Sequence, residues 1–412
     1  MTAMATRPRL LVLYHFFHPD PVVSARVFSD FAVEQARRGW DVTALTSNRL
    51  HGAPDARLPA EELWDGVRIR RVFRPPWSQK KPLPRLGNSA WLVPAWAAAA
   101  ARLGSFDAIV IGSDPSFAAS VAIPLRAEHP RTPILHWCFD VYPDAVEAEW
   151  TGRTRMLAPP ARALMSAAYR RCDVIVDIGP CMRARLERYG GPARRETLTP
   201  WALVEPEVPA EADPLVRREL FGDAQLGLFY GGSMSRPHDF ESLLALARAL
   251  RARAGNAVAV CFACTGTNLP RLEAAVRPDD TNVRFAPFAD EQTIAKRFEA
   301  ADFHLGSLRA EYTGAVVPSK FFAALAASRP FIFAGEPEAA ISRWIREHGV
   351  GLELAPGGVE AVAARLLALK DDPASVRAMR ANALATYRGH FSKRIVNDRW
   401  AALLEDQLRE RR

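Results

Sequence analysis

The stretch Arg9-Leu-Leu-Val-Leu-Tyr14, read on through the loop His15 to Val23 and the run Ser24 to Gly39 into Asp41-Val-Thr-Ala-Leu-Thr46, sets the architecture of the chain. Its first run is short, apolar and without helical spacing, the mark of a buried strand. Ser24 is placed to cap a helix with Phe28, Phe31, Ala32 and Ala36 on one face, and Gly39 to stop it. Asp41 to Thr46 is the next strand. Strand, helix and strand within ~40 residues form a βαβ unit, which demands a parallel sheet. Further strands are expected at Val67–Val72, Ala108–Gly112, Ile134–Trp137 and Asp173–Asp177, with a helix between Pro159 and Arg171.

Open parallel sheets bind ligands beyond the carboxyl ends of their strands. That rule selects the loops His15–Arg26, Gly112–Phe117 and Phe139–Asp144. The last, Phe139-Asp-Val-Tyr-Pro-Asp144, sets two carboxylates just after a buried strand. Two readings of Asp140 and Asp144 stay open: a group that orients a hydroxyl or takes its proton, and a cap on a turn or helix.

After Trp201 the chain turns rich in Pro and Glu as far as Pro214, a linker composition. A second α/β pattern starts at Leu226-Gly-Leu-Phe-Tyr230 and runs into Gly231-Gly-Ser-Met-Ser-Arg-Pro-His238. Asp239 is placed to cap a helix carrying Phe240, Leu243, Leu244, Ala247 and Leu250. A strand, a small-residue turn and a helix N-terminus make an anion site, to which Arg236 adds a bidentate cation; a plain tight turn is the other reading. Strands follow at Ala257–Phe262, Val283–Phe285, Asp302–Leu305 and Phe331–Ala334, and helices at Leu272–Val276 and Gln292–Ala301. Two successive α/β sheets imply two doubly wound domains with a cleft between them.

At 412 residues the chain exceeds one ordinary domain, and ~100–200 residues per domain gives two. With 49% hydrophobic and 24% charged residues it is not a disordered chain. A net charge of +8 admits an anionic partner, although many arginines fall on helix-like segments as ordinary solvated surface. Five cysteines, an odd number, argue against a disulfide framework and for a reducing compartment. Cys261-Phe-Ala-Cys264 lies in an apolar strand-like run with no partner pair, so core packing is its reading. No HExxH, paired CxxC or GxSxG pattern occurs. No basic-then-apolar leader opens the sequence, and the longest apolar stretch, Ala90–Ala101, is shorter than the ~20 residues that span a bilayer and is interrupted by Pro94. A cytoplasmic protein is expected. Trp77, Lys80, Lys81, Arg85, Trp91 and Trp96 surround that stretch. It reads either as a segment lying on an anionic membrane surface or as a helix on the sheet with its tryptophans in the core.

Gly231–Phe240 and Val316-Val-Pro-Ser-Lys-Phe-Phe-Ala-Ala-Leu-Ala-Ala-Ser-Arg-Pro330, with Asp140–Asp144 and Pro200-Trp201, resemble the GT-B glycosyltransferases of family 4. The nearest likeness is to bacterial enzymes of exopolysaccharide, capsule and O-antigen assembly, and it covers nearly the whole chain. The resemblance implies two Rossmann-like domains: an acceptor-side domain over residues 1–205 and a nucleotide-sugar donor domain over 206–390. It also implies a C-terminal helix within 391–412 crossing back to the first. Gly231, Gly232, Ser233, Arg236, His238, Gly266, Pro318, Ser319 and Lys320 are the implied donor site, and His15, His18, Arg26 and Asp144 the acceptor side. Asp140, Arg236 and Lys320 are the implied catalytic residues. No cofactor and no metal are implied, since the nucleotide-sugar is a substrate and fixed cations meet the leaving diphosphate. The implied partners are that donor, a glycan or polyprenyl-diphosphate-linked acceptor and an anionic membrane surface, with no nucleic acid. The implied reaction retains the anomeric configuration. Two glutamates common in the family are Ala315 and Ala323 here, its usual Arg and Lys of the Gly-rich turn are Ser233 and His238, and its first-domain His is Phe139. Those departures leave a nucleotide-sugar epimerase and a non-catalytic partner subunit as alternatives.

Overall fold

The computed structural model describes residues 7–79, 81–147, 150, 152–192, 194–208, 211–288 and 291–410. They divide into two units. The first runs to Thr199 and takes in Gly314–Val316 and the chain from Val396; the second holds Pro200–Thr313 and Val317–Ile395. The junction falls ahead of the Pro- and Glu-rich segment because that segment is fastened within the second unit. Tyr387 Oη donates to Glu205, the Ala202 N–H donates to Tyr387 Oη at 2.9 Å, and the Lys393 N–H donates to Glu205 Oε1 at 2.6 Å.

The first unit is built on β1 (Arg9–Leu13), β2 (Asp41–Ser47), β3 (Glu61–Trp64), β4 (Val67–Val72), β5 (Ala108–Gly112), β6 (Ile134–Trp137), β7 (Val174–Asp177) and β8 (Arg194–Thr197). They form one sheet in the order β3-β4-β2-β1-β5-β6-β7-β8, parallel except for the β3/β4 pair. Leu10 to Leu13 and Ala108 to Ile111 are fully buried, as the uninterrupted apolar runs require. The two edge strands have no such run. Glu61-Glu-Leu-Trp64 is half-exposed and Arg194-Arg-Glu-Thr197 is charged, the usual protection of a sheet edge.

The helix after β1 spans Val23–Arg37, so Ser24 lies inside it rather than at its cap, and Val22 takes the cap position without a side-chain bond. The Ser24 hydroxyl is hydrogen-bonded to Tyr14 instead. Gly39 ends the helix with φ +98°, and the Trp40 N–H donates back to Gln35 O at 3.1 Å. The helix Pro82–Leu103 continues through Pro94, and the core takes Leu92, Trp96 and Ala100, each 0% exposed. Among the described residues no helix is long and apolar enough to cross a membrane.

The second unit holds β9 (Leu226–Ser233), β10 (Val258–Thr265), β11 (Val283–Phe285), β12 (Phe303–Ser307), β13 (Phe331–Ala334) and β14 (Gly351–Leu354). The sheet order is β11-β10-β9-β12-β13-β14, all parallel. The strand β9 runs further than its apolar residues indicate: Gly231, Gly232 and Ser233 pair with Ala263, Cys264 and Thr265, and the turn begins at Met234. Asp239 caps the helix Phe240–Ala254, its carboxylate accepting from the Ser242 N–H. All five cysteines are buried and unbridged, so the Cys261/Cys264 pair serves packing. The last helix, Lys393–Arg409, buries Trp400 in the first unit from Val396 onward, its ring 4.9 Å from Phe31 and 5.0 Å from Trp137.

Candidate functional site

In the second unit, the ends of β9 and β12 meet the short helix Lys320–Ala326. Lys320 is half-buried, and its Nζ donates to the Ser233 carbonyl at 2.8 Å, over the Tyr230 ring at 5.1 Å. The stem runs against Gly232, where a Cβ would stand 3.1 Å from Lys320 Cε and φ is +109°. Glycine there permits both the backbone turn and the approach of the lysine. His238 lies 3.5 Å from Nζ through Nε2, while its Nδ1 is 2.8 Å from the Ser307 carbonyl. A carbonyl only accepts, so Nδ1 carries the hydrogen and Nε2 faces Lys320 with its lone pair. Burial first, then the Lys320 charge, pushes the His238 pKa down to about 3, and the imidazole is neutral. Desolvation likewise lowers Lys320 to about 8. The result is one ammonium aimed by a carbonyl, a neutral imidazole and a ring face.

The remaining donor-side residues frame that ammonium. Gly231 is buried in the strand, Arg236 is exposed on the turn that follows it, and Pro318 and Ser319 lead into the Lys320 helix. Gly266, at φ +119°, follows β10; a Cβ there would stand 2.7 Å from the Met234 carbonyl, which fixes the turn's start.

In the first unit the predicted residues separate. His15 follows β1 and is fully buried, its Nδ1 3.4 Å from Asp114 Oδ2. Asp140 follows β6 and is half-buried; its N–H donates to Ser113 Oγ at 3.2 Å, and its backbone bridges Val316. No hydrogen bond engages its carboxylate among the described residues, so the capping reading fails for it. Burial, and next the Asp114 charge, push its pKa up to about 7 against a smaller opposing pull from Arg85. Tyr14 and Tyr142 stand beside the same two carboxylates, their phenols pushed up chiefly by burial. His18 is elsewhere, stacked on Trp64 at 3.9 Å, and Arg26 is half-buried within the helix Val23–Arg37. Asp144 is engaged by Tyr189 Oη and by Arg185 Nε at 3.3 Å, which makes it part of the scaffold. Phe139 packs on Trp137 and Phe28 at 5.0 and 5.4 Å. Asp114 lies on one of the loops that the sequence marks, and its own signal is its place two residues beyond β5.

Residues 24–202 match the family model of the glycosyl transferase 4-like domain. No curated protein matches the chain in sequence. Among solved structures, the sucrose-phosphate synthase of Thermosynechococcus elongatus aligns with TM-score 0.75 at 17% identity, over 97% of this chain and 99% of that one. The E. coli trehalose-6-phosphate structure bound with UDP-2-fluoro glucose aligns at 0.71 and 12% identity, over 97% and 99%. Anabaena HepE in complex with UDP-glucose aligns at 0.63 and 15%, again over 97% and 99%. Those likenesses fix the fold, two parallel-sheet domains of the GT-B type.

Proposed function

We propose that this protein is a glycosyltransferase that moves a sugar from a nucleotide-sugar to a hydroxyl acceptor, a lipid-linked glycan of cell-surface polysaccharide assembly. The second unit holds the donor diphosphate, and the carboxylate edge of the first receives the acceptor. The carrying observation is the Lys320 ammonium, held at the Gly231–Ser233 strand end by a carbonyl and an uncharged imidazole. A leaving diphosphate develops negative charge, and a cation already oriented toward it stabilises that charge without reorganisation. Lys320 and Arg236 supply the charge in this reading, so the reaction runs without a metal; retention of the anomeric configuration is the part of the proposal that the family resemblance alone supports. Isothermal titration with UDP-, GDP- and dTDP-sugars, followed by transfer assays in excess EDTA and NMR of the product anomer, tests it. UDP-sugars come first because two of the similar structures hold them. Transfer that survives EDTA is expected. Complete metal-reversible loss overturns the leaving-group assignment; isomerised donor without acceptor means an epimerase, and no donor binding means a partner subunit.

The membrane side of this reading rests on the helix Pro82–Leu103. Trp96 belongs to the core, but Leu83 is 81% exposed and Phe73, Trp77, Leu86 and Trp91 are each near half-exposed. Phe73 and Trp91 meet edge to face at 6.0 Å, with Arg57 over the Phe73 ring. Lys81 is exposed beside them, Arg85 is drawn electrostatically toward Asp140, and Lys80 lies outside the described residues. Exposed aromatics flanked by cations suit an anionic headgroup layer, where each near-surface Lys or Arg adds about 1 kcal/mol. Co-sedimentation with phosphatidylglycerol vesicles at low salt is expected, falling several-fold at high salt and with Leu83→Glu. No binding at low salt would point to a soluble acceptor.

A further inference from the structure

An ammonium carries three hydrogens, and at the end of β9 the fold occupies two of those on Lys320. One goes to the Ser233 carbonyl at 2.8 Å, whose second lone pair is taken by the Tyr230 hydroxyl, also at 2.8 Å. Another faces His238 Nε2 at 3.5 Å, and no further hydrogen bond engages Nζ among the described residues. The imidazole has nothing to offer an anion. Its Nδ1 hydrogen is held by the Ser307 carbonyl at 2.8 Å, so a phosphate oxygen brought to Nε2 would meet lone pair against lone pair. The ring is 9% exposed, and its turn is fastened from two sides. Asn268 Nδ2 donates to the Ser235 and His238 carbonyls at 3.1 and 3.3 Å, and the Arg309 N–H donates to the Pro237 carbonyl at 2.8 Å. The helix that follows starts with carboxylates of its own: Asp239 accepts from the Ser242 N–H at 3.1 Å, and Glu241 pairs with Arg309 at 3.0 Å. That helix end is therefore unfavourable for a phosphate, which leaves the open hydrogen of Lys320.

We propose that His238 is a positioning residue and not a phosphate ligand: it holds the Lys320 ammonium from behind as a hydrogen-bond acceptor and leaves one hydrogen aimed at a single phosphate oxygen. The proposal rests on the donor reading above, and it takes His238 out of the groups that touch the diphosphate. The titratable groups facing Lys320 are His238, the Tyr230 phenol on β9 and the Cys264 thiol on β10. Burial raises the phenol, and it pushes the thiol up to about 11, so both are neutral near pH 7. Those facing His238 are Lys320 at the ring and Arg309 at the carbonyl. An acceptor favours the charged form of its partner, so the imidazole opposes the desolvation that draws Lys320 down to about 8. Taking the acceptor away without opening the site to water should let the ammonium lose its proton at still lower pH.

The test is NMR titration of the full chain labelled with 13Cε-lysine and ring-15N histidine, beside UDP calorimetry at pH 6 and pH 8, on wild type, His238→Leu and His238→Gln. The chain has six lysines, and the signal lost in Lys320→Ala is that of Lys320. Its midpoint is expected near 8 in the wild type and about one unit lower in His238→Leu, which keeps the bulk but has no lone pair. His238→Gln, with an amide N–H for Ser307 and an amide oxygen for Lys320, should restore it, an outcome that a purely structural role would not produce. A midpoint one unit lower leaves about a fifth as much ammonium at pH 8, so UDP affinity in His238→Leu should fall about five-fold there and by less at pH 6. The His238 ring should show a protonated Nδ1 and a bare Nε2 with and without UDP. A Lys320 midpoint that stays in place in His238→Leu, or an Nε2 that gains a proton when UDP binds, overturns the positioning role. Lysine and histidine signals that behave as described in a protein that binds no UDP at either pH would instead overturn the donor reading, and with it this use of His238.

Discussion

Asp140→Asn is expected to lose about 10²–10⁴-fold in turnover, the usual contribution of a positioned acid–base group, while melting no earlier than the wild type. The fold uses the backbone of Asp140: its N–H reaches Ser113 Oγ, its carbonyl accepts from the Cys138 thiol at 3.3 Å, and the next N–H, of Val141, donates to Ala315 O at 2.8 Å. An asparagine keeps all of these. The carboxylate itself is held where ionisation is disfavoured, first by burial and then by Asp114. A folded pKa of about 7 against an ordinary 3.8 means that the native chain keeps this proton between those values while the unfolded chain gives it up. Stability therefore falls as pH rises through that window, and ionised Asp140 destabilises the fold above it. Differential scanning calorimetry at pH 8 should give the asparagine variant an equal or higher Tm, with kcat for sugar transfer collapsed. A variant that melts early yet keeps its rate per folded molecule would make Asp140 a structural residue.

The sequence carries those parts of the fold that are written in contiguous residues. The parallel strands β1, β2, β5, β6 and β7 are legible because a strand buried on both faces must be apolar throughout, as in Ala108-Ile-Val-Ile-Gly112. The edge strands β3 and β8 escape for the opposite reason: Arg194-Arg-Glu-Thr197 carries no apolar run to mark it. Ser24 has the chemistry of a cap, but its hydroxyl is hydrogen-bonded to Tyr14, at the end of β1. The extension of β9 through Ser233 depends on pairing with Ala263–Thr265, a tertiary fact. The candidate sites divide the same way. Lys320 and the glycines opposite it lie in recognisable stretches, whereas Asp114 gains meaning only once β1 and β6 bring His15 and Asp140 beside it. The helix Pro82–Leu103 buries Trp96 in the core, as one reading of its tryptophans expects, and leaves Trp91 half-exposed, with the Trp91 indole N–H donating to the Phe73 carbonyl at 2.8 Å.

Lys320→Ala should weaken nucleoside-diphosphate binding roughly ten- to a hundred-fold, since losing a charge-assisted phosphate contact costs on the order of 1.5–3 kcal/mol. The lysine is poised for that contact by partners that hold it without neutralising it. The Ser233 carbonyl takes one hydrogen at 2.8 Å, the His238 lone pair faces it at 3.5 Å, and no carboxylate pairs with it among the described residues. Desolvation is the leading cause of its depressed pKa, so the charge is held in an environment that an arriving phosphate would improve. Sign and window follow. The free protein keeps the ammonium below about 8 and loses it above, so diphosphate affinity should fall as pH climbs past that value, and binding should draw a proton from solution near it. Calorimetry with UDP in buffers of differing ionisation enthalpy measures both. Stability runs the other way: the depressed pKa means that the charge strains the native state below pH 8, so the alanine variant should fold at least as well. A folded Lys320→Ala protein with undiminished UDP affinity, and no proton uptake in the wild type, would remove Lys320 from the diphosphate site.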